Sequence, residues 1–131
     1  MIRLLIVEDQ PGVRTGLRMV FANEPDFSVV GEASCGEAAL DLAASLSPDV
    51  VLMDVEMSGM DGIATTSALH RVRPQARIII LTIHDDERTR ARAEKAGAAA
   101  FITKTMPLDA LLSAIRRVAE QLGGAPATLP C

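Results

Sequence analysis

Tryptophan and tyrosine are absent from these 131 residues, and phenylalanine occurs three times. A chain so poor in aromatics has no platform on which bases could stack, and a net charge of −4 leaves no basic stripe for phosphates. Direct nucleic-acid contact by this segment is therefore not expected. Cysteine occurs twice, as Cys35 and Cys131, which excludes a disulfide framework and a cysteine-rich zinc site. No apolar run approaches the ~20 residues of a membrane-spanning helix, so no membrane contact is expected. Leu4 to Val7 are the only apolar residues between Arg3 and Glu8, too short a run for a signal peptide, and a cytoplasmic location is expected. A Gly-x-x-x-x-Gly-Lys loop is missing too, which removes a P-loop nucleotidase.

What is present fits a single globular domain. Hydrophobic residues make up 49% of the chain and charged residues 23%, enough apolar material for a core without staples. Charge is unevenly spread. Residues 1–61 hold 11 acids against 3 bases, and residues 62–131 hold 6 acids against 10 bases. The acidic half suggests a site for a cation.

Two hydrophobic periods alternate along the chain. Short apolar runs at Ile2–Val7, Phe27–Val30, Val50–Met53, Ile78–Leu81 and Ala99–Ile102 read as buried strands. Helical spacing recurs between them: Val13, Gly16, Leu17, Val20 and Phe21; Ala39, Leu40, Ala43 and Leu46; Ile63, Thr66 and Leu69. The longest stripe runs from Leu108 through Leu112, Ile115 and Val118 to Leu122. Asp85–Ala96 is mostly charged, with alanines alone to bury. Pro11 and Pro107 suit first helical turns, and Gly97 suits a helix C-terminus. Strict alternation of this kind predicts an α/β fold, a doubly wound five-stranded parallel sheet with helices on both faces. The last residues, 123–131, are rich in Gly, Ala and Pro and read as a linker.

Ligands in such sheets sit beyond the carboxyl ends of the strands. There the first strand runs into Glu8-Asp9, the third into Asp54, the fourth into Thr82 and the fifth into Lys104. Three crowded carboxylates repel one another unless a cation intervenes, and a hard oxygen-liganded ion such as Mg²⁺ suits them. Each residue also has a plainer reading: Asp9 or Asp54 as a helix cap, Thr82 as a good strand former, Lys104 as a solvated charge. The gathering of all of them at one sheet edge favours phosphoryl chemistry. With eleven Arg and two Lys in the chain, a Lys at this edge also suggests that a mobile ammonium is wanted there.

Four segments carry a family resemblance: Ile6-Val7-Glu8-Asp9-Gln10, Pro48 through Asp54 to Gly62, Ile80-Leu81-Thr82, and Gly97 through Phe101 to Lys104. In this order they resemble a response-regulator receiver domain of bacterial two-component signalling. Val29 to Ala33 and the Lys104-Thr105 step are similar to its NarL/FixJ-type, LuxR-like branch. The resemblance implies a flavodoxin-like (βα)₅ receiver over residues 1–122 with strand order 2-1-3-4-5. It implies that 123–131 lead to a DNA-binding output domain acting in transcription regulation.

It implies further that Asp54 is the phosphoacceptor, served by a sensor histidine kinase, and that the protein is not a turnover enzyme. Mg²⁺ would be held by Glu8, Asp9, Asp54 and the backbone carbonyl of Glu56. Lys104 and Thr82 would meet the phosphoryl oxygens, and Phe101 would rotate after Thr82. Glu56 and His84 would tune phosphoryl lifetime. The chain departs from the family pattern with Ser58 and Thr105 in place of Pro, and with Phe101 in place of Tyr. Homodimerisation on phosphorylation would follow, and the last helix, through Arg116 and Arg117, is a candidate surface for it. The nearest rivals are an aspartyl phosphohydrolase, which usually carries its nucleophile after the first strand, a flavin carrier of the same fold, and a receiver-like scaffold.

Overall fold

The computed structural model describes residues 1–55, 61–83 and 86–123. Strands β1 (Ile2–Val7), β2 (Phe27–Ala33), β3 (Val50–Asp54), β4 (Arg77–Thr82) and β5 (Ala100–Thr103) alternate with five helices. These are α1 (Pro11–Ala22), α2 (Gly36–Leu46), α3 (Gly62–Val72), α4 (Glu87–Ala96) and α5 (Leu108–Gly123). All strand pairs are parallel, in the order β2-β1-β3-β4-β5.

Successive strand residues point to opposite faces, so each strand feeds two cores. Leu4, Ile6, Val50, Leu52, Ile79 and Leu81 pack on one side with Phe21 of α1 and Leu112, Ile115 and Val118 of α5. Leu5, Val7, Val51, Met53, Ile78 and Ile80 pack on the other with Ala39, Ala43, Leu69 and Ala93 of α2 to α4. Burial on both faces explains the unbroken apolar runs. Each buried Ile or Leu in these layers contributes roughly 1.5–3 kcal/mol.

Most expected boundaries fall within two residues of the observed ones, and the exceptions have identifiable causes. β2 runs on to Ala33, where Gly31, Glu32 and Ala33 pair with Leu5, Ile6 and Val7. A bulge between Leu4 and Leu5 leaves Val30 outside the register, and this breaks the apolar pattern that the sequence offers. α4 starts at Glu87 because Asp86 is its N-cap, its carboxylate accepting from the backbone N–H of Thr89 at 3.0 Å. Pro107 lies just before α5, and its carbonyl accepts from Leu111. Gly97 ends α4 with φ +109°, the left-handed conformation that glycine adopts freely.

α4 buries only Ala93 among its residues, in keeping with its charged sequence. Arg116, partly exposed on α5, is engaged within the chain. It donates to both oxygens of Asp26 at 2.7 and 2.9 Å and to Glu24 at 2.6 Å, and its guanidinium lies 5.2 Å from the Phe27 ring centroid. α5 is thereby tied to the turn before β2. Among the described residues, no helix is long and apolar enough to cross a membrane.

Candidate functional site

The register of the sheet assembles the site. Val7 pairs with Met53, Asp54 with Leu81, and Thr82 with Thr103. Residues at or just past the ends of β1, β3, β4 and β5 therefore stand side by side. β1 lies between β2 and β3, so its flanking crossovers leave in opposite directions and open a crevice at this point. Glu8, Asp9 and Asp54 each turn one carboxylate oxygen into it, and these oxygens lie within 4.8 Å of one another.

Neither aspartate caps a helix. α1 begins after Gln10, whose side chain makes no capping bond, and α3 is capped by Asp61, which accepts from Ala64 N–H at 2.7 Å. The plainer reading of Asp9 and Asp54 is thus removed. Asp54 is buried with 8% of its surface exposed, and Glu8 with 2%. Carboxylates so withdrawn from water need compensating charge.

Lys104 supplies part of it. Its Nζ donates to Glu8 Oε1 at 3.0 Å and stands 3.6 Å from Asp54 Oδ1. Its backbone N–H donates to the carbonyl of Thr82 at 2.7 Å, which fixes where the side chain starts. The Lys104–Thr105 bond is trans. Burial pushes the Glu8 carboxyl up, but Asp54 and Lys104 beside it and the Gln10 backbone outweigh burial and hold it below the usual range. Burial likewise draws the Lys104 ammonium down, yet Glu8 and Asp54 together raise it above its ordinary value. Glu8 Oε2 remains buried with no hydrogen-bond partner among the described residues. A buried carboxylate oxygen left over in a cluster of three acids is what a divalent cation would satisfy, so the donor set fits a hard metal ion.

Thr82 ends β4 at 1% exposure. Phe101, half-buried on β5, pairs with Ile80 and sits under the Arg90 guanidinium at 4.6 Å from its ring centroid. A cation held over the ring face stabilises this position, in which the ring also packs against the core layer on the α2–α4 side. Glu56, Ser58 and His84 lie outside the described residues.

Four contributors to the site were given no role there in the sequence reading. Arg14 donates to the carbonyl of Glu8 at 2.7 Å and pairs with Glu32, steadying the loop that carries Glu8 and Asp9. Gly62 donates its N–H to Val55 and has the backbone of Asp54 directly against its Cα. Arg92 of α4 lines the cavity above Asp54, about 840 Å³ in volume, together with Asp9, Asp61 and Lys104. Asp61 had a legible signal, an aspartate immediately before an apolar helical stripe. Gly62 closes the family segment that begins at Pro48, and Arg92 had no local signal.

Doubly wound topology, a triad of acids at the switch point that could hold a metal ion, and a lysine following the last strand define an α/β module with its polar groups gathered at one sheet edge. Comparison with known proteins narrows the class. Residues 4–116 match the family described as response regulator receiver domain, and the chain belongs to that family. The response regulator GacA of Pseudomonas aeruginosa is 42% identical over 118 residues, covering 90% of this chain and 55% of that protein. The nitrate/nitrite response regulator protein NarL of Escherichia coli is 37% identical over 116 residues, covering 88% and 54%. This chain thus spans about half the length of the curated relatives it matches.

Among solved structures, a LuxR-family two-component response regulator from Aurantimonas superposes with a TM-score of 0.89 at 32% identity, covering 92% of this chain and 86% of that one. The signal receiver domain of a NarL-like regulator from Mycobacterium tuberculosis gives 0.86 at 31% identity, covering 91% and 96%. The chain is a receiver domain of two-component response regulators with the flavodoxin-like fold, and phosphorylation-dependent signalling is its class of function.

Proposed function

We propose that Asp54 is the phosphoacceptor of this receiver and takes its phosphoryl group from a phosphohistidine of a sensor histidine kinase. The observation that carries the reading is the setting of Asp54. It is buried at a strand end, with Lys104 Nζ 3.6 Å from Oδ1 and two further acids at its side, facing an open cavity. An Asp54 oxygen attacks phosphorus in line, the bond from phosphorus to the donor imidazole nitrogen breaks, and its electron pair stays on that nitrogen. Such transfer asks the protein mainly for positioning and charge neutralisation.

Glu8, Asp9 and Asp54 would hold Mg²⁺, with the backbone carbonyl of Glu56 as a further ligand. Bound there, the ion would supply charge compensation for the carboxylates and the phosphoryl oxygens. Lys104 meets one phosphoryl oxygen from its place between Glu8 and Asp54. Thr82 donates its hydroxyl to another, and Phe101 rotates after it, giving up the Arg90 contact. The rearranged α4–β5–α5 face then controls homodimerisation and a DNA-binding output domain beyond residues 123–131. The setting is cytoplasmic, and the domain accepts phosphate stoichiometrically without substrate turnover.

Intact mass after incubation with Mg²⁺ and acetyl phosphate tests the reading, with Asp54→Asn alongside. Gain of one phosphoryl group by the wild type alone is expected. Equal gain by the variant would place the acceptor elsewhere.

A further inference from the structure

The α4 helix sends its arginines two ways. Arg90 lies over Phe101, while Arg92, two residues and about 200° further round the helix, lines the cavity above Asp54. Arg92 is exposed and has no ion-pair partner among the described residues. Lys104, the other cation lining that cavity, is already shared between Glu8 and Asp54. Three carboxylates, Lys104 and a divalent cation together come to neutrality, so an anionic phosphodonor meets no net attraction from the floor of the site.

The geometry points to Arg92 as a specificity-determining residue that receives the negative charge of the departing group. This inference rests on Asp54 being the phosphoacceptor. In an in-line displacement the leaving atom lies on the far side of phosphorus from Asp54, toward the open cavity. Lys104 is at the wrong end to serve it, because it sits beside the attacking carboxylate. Arg92 stands on the cavity wall with no ion-pair partner among the described residues, and its guanidinium is a two-pronged donor suited to a carboxylate. With an acyl phosphate the bond from phosphorus to the acyl oxygen breaks, the electron pair leaves on that oxygen, and a carboxylate anion departs. With phosphoramidate the bond from phosphorus to nitrogen breaks, and the nitrogen, already carrying its protons, departs as neutral ammonia. Arg92 assists the first and has nothing to gain in the second.

The test measures phosphorylation rates of the full chain by intact mass, with Mg²⁺ and either acetyl phosphate or phosphoramidate, for wild type, Arg92→Gln and Arg92→Lys. Arg88→Gln, on the same helix outside the cavity lining, controls for the loss of helix charge. Arg92→Gln should slow acetyl phosphate about tenfold, the weight of one charge-assisted hydrogen bond partly screened by water. Phosphoramidate should change less than about twofold, and lysine should restore part of the acetyl phosphate rate. Equal losses with both donors, no loss with either, or the same selectivity in Arg88→Gln would each overturn the assignment. A wild type phosphorylated by neither donor would instead refute the phosphoacceptor reading, and this assignment with it.

Discussion

Replacing Gly62 by alanine should damage the fold, although alanine favours a helix over glycine by up to about 1 kcal/mol. The methyl group would fall on the carbonyl oxygen of Asp54. It would also lie 2.7 Å from the Val55 Cα and 2.8 Å from the Asp54 carbonyl carbon. All three are backbone atoms at the end of β3 and cannot rotate aside. Relief requires α3 to move off the strand, at an overpacking cost of about 1–3 kcal/mol. The bond from Gly62 N–H to the Val55 carbonyl, now 3.0 Å, would stretch in the same movement, and its loss adds about 1 kcal/mol.

With the helix-propensity gain offsetting part of this, the expected net loss is about 2–3 kcal/mol, or roughly 6–12 °C in melting temperature. Urea titration followed by far-UV circular dichroism reads the change directly, since the chain has no tryptophan for fluorescence. Gly16→Ala is the control. It lies in the interior of α1 with nothing within 4 Å of the added carbon, and it should stabilise by about 0.5–1 kcal/mol. Gly62→Ala matching or exceeding wild-type stability would refute the claim that α3 rests on the backbone of Asp54.

Two further outcomes concern the ion pairs. Lys104→Ala should cost about 1–3 kcal/mol, less than a fully buried pair because the ammonium borders the cavity. Glu8 is lowered and Lys104 raised, so the pair contributes above the ordinary Glu range and below the ordinary Lys range. Its contribution is lost as pH falls through the lowered Glu8 value or rises through the raised Lys104 value. Melting curves of wild type and variant should therefore differ most between about pH 5 and 10. A gap that persists unchanged into acid would contradict the pairing, and Mg²⁺ should narrow it by neutralising the same acids. Arg116→Ala should lower the melting temperature at neutral pH. Asp26 is held low first of all by its hydrogen bonds from Arg116, so this contribution is present above the usual Asp range and fades as pH falls below about 4. A gap independent of pH would leave the Phe27 contact, not the ion pair, as the source of any effect.

Much of the fold was legible because a sheet buried on both faces writes itself as uninterrupted Val, Ile and Leu. The strand ends were legible too, since Glu8, Asp9, Asp54, Thr82 and Lys104 each follow such a run. What local pattern cannot carry is partnership between distant segments. Arg116 looks like a surface residue of an amphipathic helix until Asp26, 90 positions away, is found opposite it. The crowding at Gly62 exists only once α3 has been laid against β3, and the reach of Arg92 depends on how α4 is turned. β2 was underestimated because a bulge breaks its alternation. Asp86 shortened α4 because a carboxylate at a helix start caps more effectively than it extends.

The contact between Lys104 and Glu8 joins residues 96 positions apart, across a sheet whose interior strand β1 comes first in the chain and whose edge strand β5 comes last. During synthesis, a chain that has emerged only as far as β4 already carries all three acids but lacks the lysine that holds Glu8 and Asp54 together. Until β5 docks, like charges at the ends of β1 and β3 repel one another with no ammonium between them. Completion of the last strand therefore does two things at once: it seals an edge of the sheet and finishes the charge balance of the site. If Asp54 is the phosphoacceptor as proposed, phosphorylation would await this last step of folding, and a kinase that needs Lys104 in place would pass over unfinished chains.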